Sequence, residues 1–539
     1  MTFSDKIRTV LNKPGDYMNP RGVGYKWWLL MNVMIGTFMA VLDATIVNVG
    51  LPKIMASFGV GIDKIEWVLT GYMLAMAIML PTSGWIADRF GYKKIYFLGL
   101  LFFTFGSFLC GISGDENMLI FSRVIQGLGG GALMPLGMAI VLREFPPNQR
   151  GIAVGFWSIA AAASVSFGPL IGGYLVDNFN WQLIFDVNVP VGIIGLFATL
   201  IIQKEYVNKQ VRKFDYIGFI SVSIFLPLVL YALTESTSAS NAAGWSAPYI
   251  LICFAIAAIA LAVFLTAELT VKEPLIDLRL LVNRNFGISN IIMFIFGFGM
   301  FGSTFLLPLY LQDSLGYTAI QSGAVFLPIG ILQGVTAPII GIITDKINPK
   351  YPLILGIILL AVSFFINSYL SLLSEHGYIM NSLYVRGLGM GMLFTPLSTV
   401  ALLEIHRDNM AQASSIFNTL RQLGGSFGVA VLATIFTSRI HYHSQMYGES
   451  LSANSPVFKG TVMHLSNHIQ HFAGSNAFIS LKQTQALLFS NVSLQAFVQS
   501  IDDDFLIAGI ITIITIIPIL FLHTKRKQNN QNNQLGSYD

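Results

Sequence analysis

Charge is what this chain has least of: Asp, Glu, Lys and Arg together make up 11% of its 539 residues, against about 25% in an ordinary soluble domain. Combined with 54% hydrophobic residues, that shortage excludes a soluble globular protein and a charged, disordered chain. Cysteine is nearly absent. The two present, Cys110 and Cys253, both fall in apolar runs, so neither a disulfide framework nor a thiolate metal site is suggested. No phosphate-binding loop followed by Lys and Ser or Thr occurs, so direct drive by a nucleoside triphosphate is not expected. The glycine-rich run from Gly127 to Gly131 lies inside an apolar stretch, where a dinucleotide loop has no place. No enzymatic activity and no cofactor are expected. The formal net charge of +4 is explained by short basic loops and implies no nucleic acid. Nothing before Lys26 has the apolar core of a cleavable signal, so the first apolar run is expected to stay as a signal anchor.

What the chain has in excess is long apolar runs, with a mean hydropathy of +0.66. Crossing lipid as a helix takes about 20 apolar residues, because lipid offers no partner for free backbone N–H and C=O groups. Fourteen runs qualify, at 27–50, 66–87, 95–112, 118–142, 152–175, 182–203, 216–234, 248–267, 286–311, 320–343, 352–371, 379–402, 412–437 and 505–523. The expected fold is an all-α polytopic membrane protein. An even number of crossings puts both termini on one side. If that side is the cytoplasm, 23 Lys and Arg face inward and 5 outward, with Arg123, Arg386 and Arg421 left in the membrane. The excess of basic residues in inner loops predicts that both termini are cytoplasmic.

The chain also repeats itself. Gly84, Trp85, Ile86, Ala87, Asp88, Arg89, Phe90, Gly91, Tyr92, Lys93 and Lys94 form a charged turn between two apolar runs. In a worn copy Gly341 matches Gly84, Asp345 matches Asp88, Lys346 matches Arg89 and Lys350 matches Lys93. Gly127-Leu128-Gly129 recurs as Gly387-Leu388-Gly389, and Ser166-Phe167-Gly168 as Ser426-Phe427-Gly428, both 260 residues on. Three motifs in one order at nearly one spacing indicate duplication. The two runs between the halves have no counterpart elsewhere, which gives six plus two plus six. The expected divisions are an N-terminal segment 1–26, a six-helix bundle 27–203, two inserted helices with linkers 204–285, a second bundle 286–523 and a tail 524–539. The second bundle contains an outward-facing segment, 439–504, too long for a plain connection. Within it Ala477 to Ile501 reads as an amphipathic helix. His464, His468 and His471 fall on one helical face, but without clustered carboxylates or cysteines they favour a solvated or partner-docking face over zinc. The Asn- and Gln-rich stretch from Gln528 to Gln534 reads as unstructured.

Several residues are out of place in lipid and so draw a functional reading. Asp43 sits in the first run, where a charge costs about 2.5–3.5 kcal/mol on insertion scales, so it must be protonated, paired or wet. It reads as a proton-coupling group or, more blandly, as a packing bond to Thr45 or Asn48. Arg123 cannot usefully lose its proton and would act by tuning a carboxylate, with Asp43 the natural partner; a purely structural ion pair is the other reading. Arg386 and Arg421 are buried cations with few carboxylates near them in sequence, and either shape a cavity or bond interhelical carbonyls. Asp186 and Asn188 are further contributors from the sixth run. In the charged turns, Gly84, Asp88, Arg89, Gly91, Lys93 and Lys94, with Asp345 and Lys346, read as a conformational latch or as topological anchors. Gly155, Gly168, Gly172 and Gly173 strip side chains from one flank of the fifth run, and Pro169 bends it, for close helix contact.

These motifs resemble, in order, the signatures of the major facilitator superfamily. The charged turn is similar to its signature loop. Arg123, Gln126, Gly127 and Gly129 to Gly131 resemble its fourth-span motif, and Gly155, Gly168, Pro169, Gly172 and Gly173 its antiporter motif. Leu42 through Pro52 resembles the first-span motif of the fourteen-span drug:proton antiporters of the EmrB/QacA-like multidrug efflux branch. Ser164, Gly50 and the Asn348-Pro349 pair depart from those patterns. The resemblance implies two six-helix bundles plus two inserted helices, alternating access, and a proton gradient as energy source. It also implies export of hydrophobic or cationic amphipathic compounds, with an EmrA-like periplasmic adaptor and a TolC-like outer-membrane channel as partners. Arg123 would take part in proton transfer. The substrate cavity is expected at the midplane, with Tyr72, Gln126, Trp157, Phe305, Tyr310, Arg386, Asn418 and Arg421 lining it. An exporter of fatty acids, lipids or siderophores, and a membrane sensor without transport, are the alternatives the same scaffold allows.

Overall fold

The computed structural model of the chain describes residues 23–60, 62–146, 149–207, 215–236, 241, 243–271, 274–406, 409–450, 456–473 and 476–523. Among these, 14 helical segments are long and apolar enough to cross a membrane, one for each apolar run. The segment before Val23 and the stretch from Gln528 to Gln534 lie outside the described residues.

The first half comprises α1 (Val23–Phe58), α2 (Ile62–Phe90), α3 (Tyr92–Gly111), α4 (Glu116–Glu144), α5 (Arg150–Asn178), α6 (Leu183–Asp186) and α7 (Asn188–Ile202). Helices α6 and α7 share the sixth crossing. The break between them follows from Pro190, which has no N–H to give to the carbonyl four residues back. The inserted pair is α8 (Tyr216–Glu235) and α9 (Pro248–Thr270). The second half comprises α10 (Arg284–Leu309), α11 (Ala319–Ala324), α12 (Leu327–Lys346), α13 (Lys350–Asn367), α14 (His376–Leu403), α15 (Met410–Ser450), α16 (Pro456–Ala473), α17 (Ala477–Ile514) and α18 (Ile516–Leu520). Side-chain caps mark where several helices begin: Asp115 accepts from Met118 N at 2.8 Å, Asp215 from Gly218 N at 2.8 Å and Asn283 from Phe286 N at 3.0 Å.

Two seams join the halves. Along the first, α5 packs on α11 and α12 over its whole length. Small residues allow it: Gly151 meets Gly341 backbone to backbone, a Cβ on Gly155 would lie 2.6 Å from the Ala337 carbonyl oxygen, and one on Gly323 would lie 2.6 Å from Pro169 Cβ. Along the second, α2 packs on α15, with a Cβ on Gly84 2.9 Å from the Ala411 backbone. Helix α8 lies against both α2 and α15, with Trp67 stacked on Tyr231 at 5.9 Å. The inserted pair therefore sits at the periphery and covers the second seam from the lipid side. Helices α4 and α14 are the most buried crossings and α9 the least, as expected if α4 and α14 carry the interior and α9 faces lipid.

At the end opposite the charged turns, α15 and α17 continue well past the apolar runs that end at 437 and begin at 505. Hydropathy marks only the part of a helix that lipid requires. Beyond it α15 persists as a polar helix, with Gln445 donating to Glu449 one turn on at 2.9 Å. Helix α16 packs on α17. The base of this extension is fixed by Asp503, which pairs with Arg439 at 2.9 Å and with His443 at 2.8 Å.

Candidate functional site

Asp43 is fully buried on α1, and its carboxylate is met from two other helices. Arg123 Nη1 of α4 pairs with Oδ2. Gln126 Nε2, one turn further along the same face of α4, donates to Oδ1 at 2.8 Å, and Asn188 Nδ2 of α7 donates to it at 3.3 Å. A second layer orients these donors. Arg123 Nε donates to the Val68 carbonyl at 3.1 Å, Arg123 Nη1 to Gln126 Oε1 at 2.6 Å, and Gln126 Nε2 also to Ser107 Oγ at 2.7 Å. The guanidinium lies over the Tyr72 ring at 4.1 Å. Helices α1, α4 and α7 thus meet at one carboxylate, with α2 and α3 supplying the second layer. Buried charge is tolerated here because it is paired and hydrogen-bonded. The ion pair holds α4 against α1.

A cavity of ≈ 450 Å³ lies between the halves. Its wall is mostly apolar, with Met73, Met76, Met300, Met390, Phe296, Phe301, Phe326 and Phe394 among the lining residues. Arg123 borders it, whereas Asp43 does not. Leu233 and Thr234 of α8 also reach it, so the inserted pair closes part of the wall. Toward the charged turns the halves are in contact. Trp157 stacks on Phe394 at 6.1 Å, Ser414 Oγ donates to the Pro135 carbonyl at 2.8 Å, and Ser83 and Ser415 hydroxyls lie 3.2 Å apart. The cavity is shut on that side.

Part of that closure comes from the second copy of the turn. The Asp345 carboxylate accepts from Gly151 N at 3.0 Å and Ile152 N at 3.2 Å, across the seam at the N-terminus of α5, where free N–H groups and the helix dipole both favour an anion. Lys346 is exposed. In the first copy Asp88 is buried and accepts from Tyr92 Oη at 2.9 Å. Gly91 adopts φ 106, and a Cβ there would run into the Glu205 carboxylate, so only glycine fits. Glu205 accepts from Lys93 N at 3.1 Å and Lys94 N at 3.2 Å, capping α3, while Lys93 Nζ donates to the Leu200 carbonyl at 2.7 Å. Arg89 lies over Trp85 at 5.5 Å and Phe90 at 5.7 Å. Much of the first turn therefore docks on its own half, through an acidic residue the sequence did not single out.

The antiporter-motif residues face three helices: Gly168 and Gly172 meet α1 at Thr45 and Ile46, Gly155 meets α12, and Pro169 and Gly173 meet α11. Tyr72, Trp157, Arg386 and Arg421 line the cavity. Three expected lining residues do not. Gln126 is turned behind Arg123 into the Asp43 network. Tyr310 is buried at the end of α10, where its hydroxyl donates to the Ser371 carbonyl at 2.6 Å. Asn418 is buried and donates to the Ser414 carbonyl at 2.9 Å. The Phe305 side chain lies outside the described residues. Ser107, Glu205 and the α10 face of Phe296, Met300 and Phe301 were missed. An aromatic and methionine spacing of four or five on α10 was the available signal for the last.

A bundle of paired six-helix halves around a central cavity defines a membrane transporter class rather than an enzyme class. The family model of the Major Facilitator Superfamily matches residues 33–429, and the chain belongs to that superfamily. It is 33% identical over 425 residues to the multidrug export protein EmrB of Escherichia coli strain K12, covering 78% of this chain and 82% of that protein. It is 31% identical over 489 residues, 90% of each chain, to the uncharacterized transporter YhcA of Bacillus subtilis strain 168. Among solved structures, that of the human organic anion transporter MFSD10 superposes with a TM-score of 0.59 at 12% identity, covering 92% of this chain and 99% of that one. At that identity the likeness speaks for the fold alone.

Proposed function

We propose that this chain is a proton-coupled exporter of hydrophobic and amphipathic toxic compounds, working by alternating access in a bacterial inner membrane with both termini in the cytoplasm. The observation that carries this reading is the Asp43–Arg123 pair at the edge of an apolar cavity between two halves. A carboxylate shared by three helices is where a single proton can change how the first half packs. The multidrug export names of the EmrB relatives support the efflux direction. The orientation rests on the 23 to 5 imbalance of Lys and Arg between the two sides. With that orientation the cavity is shut toward the cytoplasm, and α15, α16 and α17 project into the periplasm, where they offer a docking element for an adaptor of a tripartite system.

Proteoliposomes holding the purified chain and an imposed pH gradient test the reading. A lipophilic dye is expected to move against its gradient while the pH difference lasts, and the Asp43→Asn variant is expected to lose that drive while still exchanging dye down a gradient. A parent protein that moves no dye under either condition would favour a sensor without transport.

A further inference from the structure

The charged side chains that line the cavity, among the described residues, are Arg123, Arg386 and Arg421, and no carboxylate lines it. Arg123 is balanced by Asp43 behind it. The other two are not balanced by any ion pair of the described residues: Asp43 joins Arg123, Asp503 joins Arg439 and His443, and Glu116 joins Lys64. Arg386 is 2% exposed, and its Nη1 and Nη2 have no hydrogen-bond partner. Only Nε has one, a long contact of 3.4 Å to Ser363 Oγ. The guanidinium plane rests on Phe364 at 4.9 Å and Phe505 at 5.7 Å, which holds its orientation and leaves the two-nitrogen edge unused. Arg421 Nε is likewise buried without a partner, and Nη2 reaches only Met134 Sδ at 3.6 Å.

The repeat explains how this came about. Counting 260 residues on from Asp43 arrives at Ser303, and the same offset carries Gln126 to Arg386. The second half has exchanged a carboxylate for a hydroxyl and an amide for a guanidinium, so a neutral corner in one half corresponds to a cationic one in the other. Ser303 itself lines the cavity. Buried guanidinium groups with free N–H donors are costly unless something completes them, and their fork matches a planar carboxylate or similar oxyanion in two parallel bonds.

We infer that the cavity takes an amphiphilic organic anion, its carboxylate or like head group held by Arg386 and Arg421 and its apolar body against the Phe and Met wall. This departs from the cationic amphiphiles that the family resemblance implies and lies nearer the fatty-acid alternative. It rests on the proposed transport function for its biological sense, but the site can be tested without transport.

The test is equilibrium binding to the purified full chain in nanodiscs of zwitterionic lipid, with two probes that share a pyrene tail. One ends in a carboxylate and the other in a quaternary ammonium. The carboxylate is expected to bind more tightly by at least about tenfold, the scale of one charge-assisted hydrogen bond. Arg386→Gln is expected to remove that advantage, and Arg386→Lys to restore only part of it because an ammonium cannot form the fork. Without a probe, Arg386→Gln is expected to hold or raise the thermal midpoint, since it relieves an unpaired buried charge, whereas loss of a structural bond would lower it. Equal or tighter binding of the ammonium overturns the inference, as does carboxylate affinity unchanged in both Arg386→Gln and Arg421→Gln. Carboxylate binding that vanishes in phosphatidylglycerol nanodiscs also overturns it, assigning the guanidinium groups to lipid phosphate. Binding as expected with no pH-driven transport would leave this site standing and sink the efflux reading. Pump activity on the ammonium probe alone would do the reverse.

Discussion

Removing one member of the Asp43–Arg123 pair is a different experiment from removing both. Asp43→Asn leaves Arg123 buried without a counter-charge, facing only neutral acceptors in the new amide oxygen, Gln126 and the Val68 carbonyl, and stranding a buried charge costs about 3–5 kcal/mol. Asp43→Asn combined with Arg123→Gln keeps hydrogen bonding without any charge and is expected to recover most of that loss. Thermal unfolding of the two single variants and the double variant measures the coupling. Losses that simply add would mean that the two side chains do not depend on each other. Gly91 is the other residue for which one atom matters. At φ 106 a side chain strains the backbone by about 1–3 kcal/mol, and it also meets Glu205. Gly91→Ala is therefore expected to lower the thermal midpoint, and Glu205→Gln, which keeps the acceptor oxygen, to lower it less. Equal midpoints for Gly91→Ala and the parent would show that the turn relaxes freely.

At the scale of helices, the second charged turn is the element that ties α12 to α5. Asp345 accepts two backbone N–H groups across the seam, and a hydrogen bond to a charged group contributes about 1.5–3 kcal/mol. Asp345→Asn keeps one acceptor oxygen but loses the charge at the α5 N-terminus. It is expected to raise the population open at the turn end by roughly tenfold or more. Maleimide labelling of a cysteine placed at Ser158, which lines the cavity, reports that opening, and unchanged labelling from the turn side would make Asp345 a passive cap. The fuller first turn, with Gly91-Tyr92 where the second has Asn348-Pro349 and with both Lys93 and Lys94, favours a larger effect for Asp88→Asn, but the two cross-seam bonds of Asp345 argue for at least an equal one. What was legible follows a physical rule. All fourteen crossings could be read because lipid imposes length and apolarity, and Asp43 with Arg123 could be read because buried charges in lipid need partners. Helix rotation imposes no such mark, so Gln126, Tyr310 and Asn418 were expected at the cavity and face elsewhere. The extensions of α15 and α17 went unread because a helix in water needs no apolar run. Glu205 went unread because its partner is a turn more than 100 residues away.

For the molecule as a whole, the sign of the cargo decides which part of the proton-motive force does work. If one proton enters as one cation leaves, no net charge crosses, and only the pH difference drives export. If one proton enters as one anion leaves, two charges move in the same electrical direction. Each charge crossing 100 mV is worth about 2.3 kcal/mol, so two supply about 4.6 kcal/mol, a concentration ratio of roughly two thousandfold. A cavity lined by Arg386 and Arg421 without a carboxylate therefore predicts export that responds to potential when the pH is equal on both sides. In proteoliposomes clamped with potassium and valinomycin, the initial rate for the pyrene carboxylate is expected to rise as the cytoplasmic side is made negative. The Arg386→Gln protein is expected to show a smaller rate at every potential, because it binds the cargo less well, while keeping the slope, because the charge that moves is the cargo's and not the arginine's. A carboxylate flux indifferent to potential at equal pH would mean that no net charge crosses, as when the head group leaves protonated and no further proton enters, and a neutral cargo would leave the two guanidinium groups with nothing to hold.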